Sequence, residues 1–159
     1  MRLLLMRHAE AAASGAHPDH ERPLTDRGRQ DAAAMGRWLR DRGTVPDLVL
    51  CSSALRARQT WQAVTAVVPG GPEPSYSQAV YDAGPGEILD LLGEQAEGSS
   101  TVMVVGHNPT MAHLVAALTG ETPGFPAGSI AVVDLSGSWQ DPDDGALTQL
   151  VGPRDHGHH

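Results

Sequence analysis

Apolar and polar positions along the chain follow two rhythms. Unbroken apolar runs read as strands covered on both faces: Arg2-Leu3-Leu4-Leu5-Met6, Asp47-Leu48-Val49-Leu50-Cys51 and Thr101-Val102-Met103-Val104-Val105. Between them the apolar residues recur every three or four positions. Thr25 is a good N-cap for a helix whose buried stripe is Ala32, Met35, Gly36 and Leu39 and which ends near Gly43. Ser52 or Ser53 is placed to cap a second helix reaching about Val68, where the segment VPGGPEP breaks it. SYSQAVY reads as an added short strand, and Ile88, Leu91 and Leu92 mark one side of a helix over 87–95. Met111, Leu114, Val115 and Leu118 mark another, while 129–135 and 146–151 read as late strands flanking the turn-rich GSWQDPDDG. Strands alternating with helices, followed by a final strand pair, predict an α/β fold. Its expected form is a three-layer sandwich with a mostly parallel central sheet and an antiparallel edge.

The length of 159 residues fits one domain, taken as 1–152, with a tail at 153–159 expected to be disordered. A net charge of −8 excludes nucleic acid or an anionic membrane surface as the main partner, so any anion site must be local. The single cysteine, Cys51, excludes an internal disulfide framework, and no apolar run is long enough to span a membrane. Together these imply residence in the cytoplasm.

Three of the strands run directly into polar chemistry. The first ends in Arg7-His8, the second leads through Cys51-Ser52-Ser53 to Arg56, and the third ends in Gly106-His107-Asn108. In a parallel sheet these ends share the carboxyl edge, where ligands collect, and two imidazoles and two guanidinium groups would converge there. Taken singly, each has a plain structural explanation as a solvated or capping residue. Their coincidence at one edge is harder to explain that way.

These residues also occur in a recognisable order. MRHAE at 6–10, LTDRGRQDA at 24–32, SSALRARQT at 52–60 and VVGHNP at 104–109 resemble the histidine phosphatase superfamily, with its phosphoglycerate-mutase-like fold. The short length and YDA at 81–83 are most similar to the SixA-like phosphohistidine phosphatase branch. The resemblance implies that His8 is the nucleophile, forming a covalent phosphohistidine, that Arg7 and Arg56 clamp the phosphate oxygens, and that His107 completes the cradle. Chemistry agrees with that assignment. An attacking imidazole needs one unprotonated nitrogen, and a hydrogen bond from the other nitrogen to a carbonyl would fix its tautomer. The planar arginine fork suits a phosphoryl group whose charge is spread over three oxygens, and a protonated His107 would add a charged donor. The helix starts after Ser53 and Asn108 offer further N–H groups. No metal or cofactor is implied, and no carboxylate cluster stands out to hold one.

Neighbouring residues are read differently. Arg58 lies about 200° around a helix from Arg56 and is expected on the solvated surface. His113 lies opposite its helix's apolar stripe and is expected to face solvent. His17 and His20, beside Asp19 and Glu21, are expected on a mobile rim rather than in a metal site. Ser52 and Ser53 are read as helix caps and Cys51 as a small buried residue. Ala9 stands where the wider superfamily has glycine, so the turn there must accept a Cβ atom. Many relatives that cleave phosphate esters carry a glutamate acid after the third strand. Here Asp82 and Glu87 are the only candidates in AVYDAGPGE. Imidazole departs more readily than an alkoxide, so a weak or missing acid favours a phosphohistidine-bearing protein as substrate. A small-molecule phosphomonoesterase and a non-catalytic phosphate-binding module are the alternatives. A short chain with little material for a lid predicts a shallow, open site.

Overall fold

The computed structural model describes residues 1–155. Its centre is a six-stranded sheet of β1 (Arg2–Arg7), β2 (Leu48–Ser52), β3 (Ser75–Ser77), β4 (Thr101–Gly106), β5 (Ile130–Gly137) and β6 (Pro142–Val151). The spatial order is β3-β2-β4-β1-β5-β6. The first four in that order are parallel, and β5 and β6 add the antiparallel edge. Period-two alternation divides each central strand between two cores. Leu4 and Met6 pack with α1 (Asp26–Asp41) and α2 (Leu55–Thr65) on one face. Leu3 and Leu5 pack on the other with α3 (Gln78–Asp82), α4 (Pro85–Gln95) and α5 (Thr110–Thr119). The result is the expected three-layer sandwich.

Local differences have identifiable causes. SYSQAVY is strand only through Ser77, because the Ser77 hydroxyl accepts the Val80 N–H and starts α3, which buries Val80. The second helix has Ala54 at its N-cap position and ends at Thr65, so neither Ser52 nor Ser53 caps it directly. β6 begins at Pro142 rather than 146, after a tight reversal in which Gly137 takes φ +78°. The last helix before β4 starts at Pro85, with the Glu87 carboxylate accepting the Gly84 N–H at 3.0 Å. Part of the expected disordered tail, Pro153–Asp155, forms a 3₁₀ turn, and 156–159 lie outside the described residues. Among the described residues, no helix is long and apolar enough to cross a membrane.

Two hydrogen bonds at Thr25 set the start of α1, and one of them fastens it to the loop after β1. Thr25 caps the helix by accepting the Gly28 N–H at 3.0 Å, and its own N–H donates to the Glu10 carbonyl. Gly28 is required by that approach, since a Cβ there would fall 2.1 Å from the Glu10 carbonyl oxygen. Gly28→Ala is therefore expected to lower stability by about 1–3 kcal/mol, because backbone rather than a flexible side chain must yield. Urea unfolding should show a lower midpoint at unchanged slope; an unaltered midpoint would mean the loop moves aside freely.

Candidate active site

The carboxyl ends of β2, β4 and β1 lie side by side and supply the centre of the site. Arg7 pairs in register with Gly106, and the His8 N–H donates to the Gly106 carbonyl at 3.0 Å. Strand pairing thus sets His8 beside His107, with ring centroids 5.3 Å apart. Ala9 is fully buried, and its N–H donates at 3.0 Å to Thr60 Oγ1 of α2. Thr60 in turn donates to the Arg56 carbonyl at 2.7 Å, so one hydroxyl ties the His8 turn to the helix that carries Arg56. The turn accepts its Cβ without a left-handed backbone, since Ala9 is not among the residues with positive φ. From the opposite side, the Gly128 N–H reaches the Arg7 and His8 carbonyls at 3.1 and 3.0 Å. Gly128 has φ +81°, a conformation glycine adopts without a Cβ penalty.

The side chains are held as tightly as the backbone. His8 Nδ1 lies 2.8 Å from the Ala9 carbonyl, which can only accept, so Nδ1 carries the proton and Nε2 keeps its lone pair. Arg7 donates to the Phe125 carbonyl at 2.9 Å, and burial lowers its pKa. Arg56, only 6% exposed, donates to the Asp19 carbonyl at 2.7 Å and to its carboxylate at 3.2 Å. Burial pushes His8 down to about 4, with the positive charges of Arg56, Arg7 and Arg22 acting in the same direction against the Ala9 hydrogen bond. Burial likewise pushes His107 down to about 3, helped by His8 and Arg56. Both rings are therefore neutral at pH 7. His107 is not the charged donor that its residue type suggested, because an imidazolium would be desolvated among arginines.

The chain that carries these two imidazoles, the half-buried Arg7 and the buried Arg56 at one sheet edge is similar to known proteins. A model described as "Histidine phosphatase superfamily (branch 1)" matches residues 3–75. The phosphohistidine phosphatase SixA of Escherichia coli is 35% identical over 145 residues, which cover 87% of this chain and 88% of that protein. The chain belongs to the histidine phosphatase superfamily. Within the superfamily its likeness is to the SixA branch and to the phosphoglycerate-mutase-like fold. The solved structure of the protein histidine phosphatase SixA complexed with tungstate aligns with a TM-score of 0.87 at 30% identity, covering 98% of this chain and 99% of that one. An uncharacterized protein of Mycobacterium tuberculosis is 35% identical over 158 residues, covering 92% of this chain and 97% of that protein.

Against this superfamily frame, the remaining sequence expectations divide. Arg7, His8, Arg56 and His107 converge on one edge. Asp82 and Glu87 are exposed and engaged on local groups, Asp82 accepting from Gln78 at 3.2 Å and Glu87 from Gly84. His113 is exposed, as its helical position implied. Arg58 departs from expectation: it is half-buried, with its Nε enclosed and unpartnered, close enough to Cys51 and Tyr76 for its charge to act on both. Cys51 is fully buried, and burial pushes its thiol pKa up. The expected loose rim is tied down through Asp19. Its carboxylate accepts from Tyr81 Oη at 2.5 Å and Arg56 at 3.2 Å, and pairs with Arg22 at 3.2 Å. The Tyr81 hydrogen bond and the arginines hold the Asp19 carboxyl below its ordinary pKa. His20 Nε2 lies 2.9 Å from Ser53 Oγ, and its ring meets that of Tyr81 edge-on at 4.9 Å. Tyr81 itself lies 5.5 Å from the His107 ring. Among the described residues, no three His, Cys, Asp or Glu side chains are grouped to hold a metal ion.

Sequence reasoning gave Arg22 and Thr60 no role, named Asp19 only as a neighbour of His17 and His20, and met Tyr81 only within the YDA motif. Arg22-Pro23 immediately before the α1 cap was the available signal for Arg22, since proline fixes how the loop enters the helix. The others become visible only when β1, α2 and α3 are brought together.

Two measurements check the site. In an NMR titration, the His8 and His107 ring signals are expected to stay unprotonated from pH 8 to below pH 5.5; midpoints near the ordinary 6.5 would refute the burial argument. Since both folded pKa values are depressed, the unfolded chain binds more protons below about pH 6.5. The stability these rings contribute is complete above that pH and is lost as pH falls toward about 4 and 3. Separately, Thr60→Val keeps the shape but leaves the buried Ala9 N–H without an acceptor, which should cost about 1–3 kcal/mol in chemical unfolding. A neutral result would show that the N–H finds another acceptor.

Proposed function

We propose that this phosphatase removes phosphate from protein phosphohistidine without a metal, through a covalent phosphoryl intermediate on His8. The observation that carries the proposal is the His8 ring itself. It is neutral, its Nδ1 proton is committed to the Ala9 carbonyl, and Nε2 keeps its lone pair near two arginines. In the first step Nε2 attacks phosphorus and the bond to the substrate's imidazole breaks. A substrate ring protonated at its other nitrogen departs as neutral imidazole, so this step needs no acid at the leaving group. Water then attacks the phosphoryl group on His8, releasing inorganic phosphate and restoring the free ring.

Arg7 and Arg56 are assigned to the phosphoryl oxygens, where charge is distributed and positioned donors contribute most. Incoming phosphate competes with Asp19 for the Arg56 fork. His107 is assigned as a neutral donor to the same group. The local engagement of Asp82 and Glu87 gives neither a role as proton donor in this reading, which favours a leaving group that needs none. The tungstate complex of SixA supports an oxyanion site in that relative, and its name supports the same substrate class here.

The test is phosphate release from a phosphohistidine protein and from a panel of phosphate monoesters, in the presence of a chelator. Wild-type protein is expected to prefer phosphohistidine, and His8→Ala to lose turnover by about 10³-fold or more. Preference for one monoester, with dependence on Asp82 or Glu87, would replace this reading with a small-molecule phosphatase. Tight binding without His8-dependent release would indicate a docking module.

A further inference from the structure

Ser52 lies outside the roles assigned above. It is the last residue of β2, fully buried, and its hydroxyl has two neighbours. The Ala54 N–H donates to Ser52 Oγ at 3.2 Å, and His107 Nε2 lies 2.7 Å from the same oxygen. The other ring nitrogen, His107 Nδ1, is buried with no hydrogen-bond partner.

A serine hydroxyl has one proton to give and two lone pairs to receive with. Ala54 uses one lone pair. Two arrangements then satisfy the contact with His107. If Nε2 carried the proton and donated it, Ser52 would hold an O–H in a fully buried place with no acceptor, and Nδ1 would be an unmatched lone pair. Two buried groups would go unsatisfied. If Ser52 donates to Nε2, the hydroxyl is fully used and only Nδ1–H lacks a partner. Buried polar groups are almost always paired, so the second arrangement is favoured, and its one orphan is a donor rather than an acceptor. An orphan donor is what an incoming phosphoryl oxygen requires; an orphan lone pair would repel it.

We infer that Ser52 is a positioning residue that fixes the tautomer of His107, holding the proton on Nδ1 so that a neutral N–H is available to the phosphoryl group. The assignment complements His8. There a backbone carbonyl selects the tautomer that leaves a lone pair on Nε2; at His107 a side-chain hydroxyl selects the tautomer that leaves a proton on Nδ1. Two histidines of the same type and charge are made a nucleophile and a donor by what their second nitrogen meets. The catalytic consequence rests on the phosphatase reading above, whereas the tautomer is a property of the resting protein.

The experiment is therefore done first without substrate. Two-bond ¹⁵N–¹H correlation of ¹⁵N-histidine-labelled protein at pH 7 is expected to show His107 protonated at Nδ1 and bare at Nε2. In Ser52→Ala the His107 signals should move toward a mixture of the two tautomers, and kcat for phosphate release should fall by up to about 10²-fold, as for loss of one aligned donor. Ser52→Thr, which retains the hydroxyl, should restore both readouts. A wild-type His107 protonated at Nε2 overturns the inference without any variant being made, as does a Ser52→Ala protein that folds and keeps the Nδ1-protonated form. Should the wild-type tautomer be as expected while His8-dependent turnover is missing, the proposed function fails and the inference about Ser52 stands.

Discussion

The parallel pairing of β1 with β4 is the constraint on which the site depends. Register places Arg7 against Gly106, and one further residue on each strand places His8 beside His107. Neither strand could slip by one residue without sending Leu4 and Met6 to the wrong core and withdrawing both histidines from the edge. Hydrophobic burial inside the sheet and chemistry at its end are thus set by the same register. The flanking contacts from Thr60 and Gly128 then hold the His8 turn from two sides.

Electrostatics within this frame are unusual because the cations are present before any anion arrives. Arg7, Arg22 and Arg56 all act to keep His8 unprotonated, and burial does more. Asp19 offsets part of that charge while remaining on the loop rather than in the sheet. The resting protein therefore holds a carboxylate on the Arg56 fork, while its imidazoles stay uncharged.

Most of the architecture was legible in the sequence, since Leu3–Met6 and Val102–Val105 are apolar on both faces and run straight into their functional residues. Boundaries that depended on a single side chain were less visible. The Ser77 cap turned the second part of an apparent strand into a helix, and Ser52 lies against His107 while Ala54 takes the N-cap position of α2. Helical geometry separated Arg56 from Arg58 and the resemblance to the superfamily's motif chose Arg56, yet the half-burial of Arg58, near Cys51 and Tyr76, is a tertiary fact with no local signature. Protonation was the least accessible property. Nothing in the residue type of His107 foretells a value near 3, because that comes from burial among groups distant in the chain.

Thr60 joins the His8 turn to the Arg56 helix through one oxygen, whereas Asp19, His20 and Tyr81 meet around the site through side chains borne on a loop and a short helix. The centre is thus held by a stiff frame and its rim by side chains that can be exchanged without moving that frame. Substitution in the rim can alter what reaches the centre while the centre keeps its dimensions. A lineage built this way can change what it admits without having to rebuild its core.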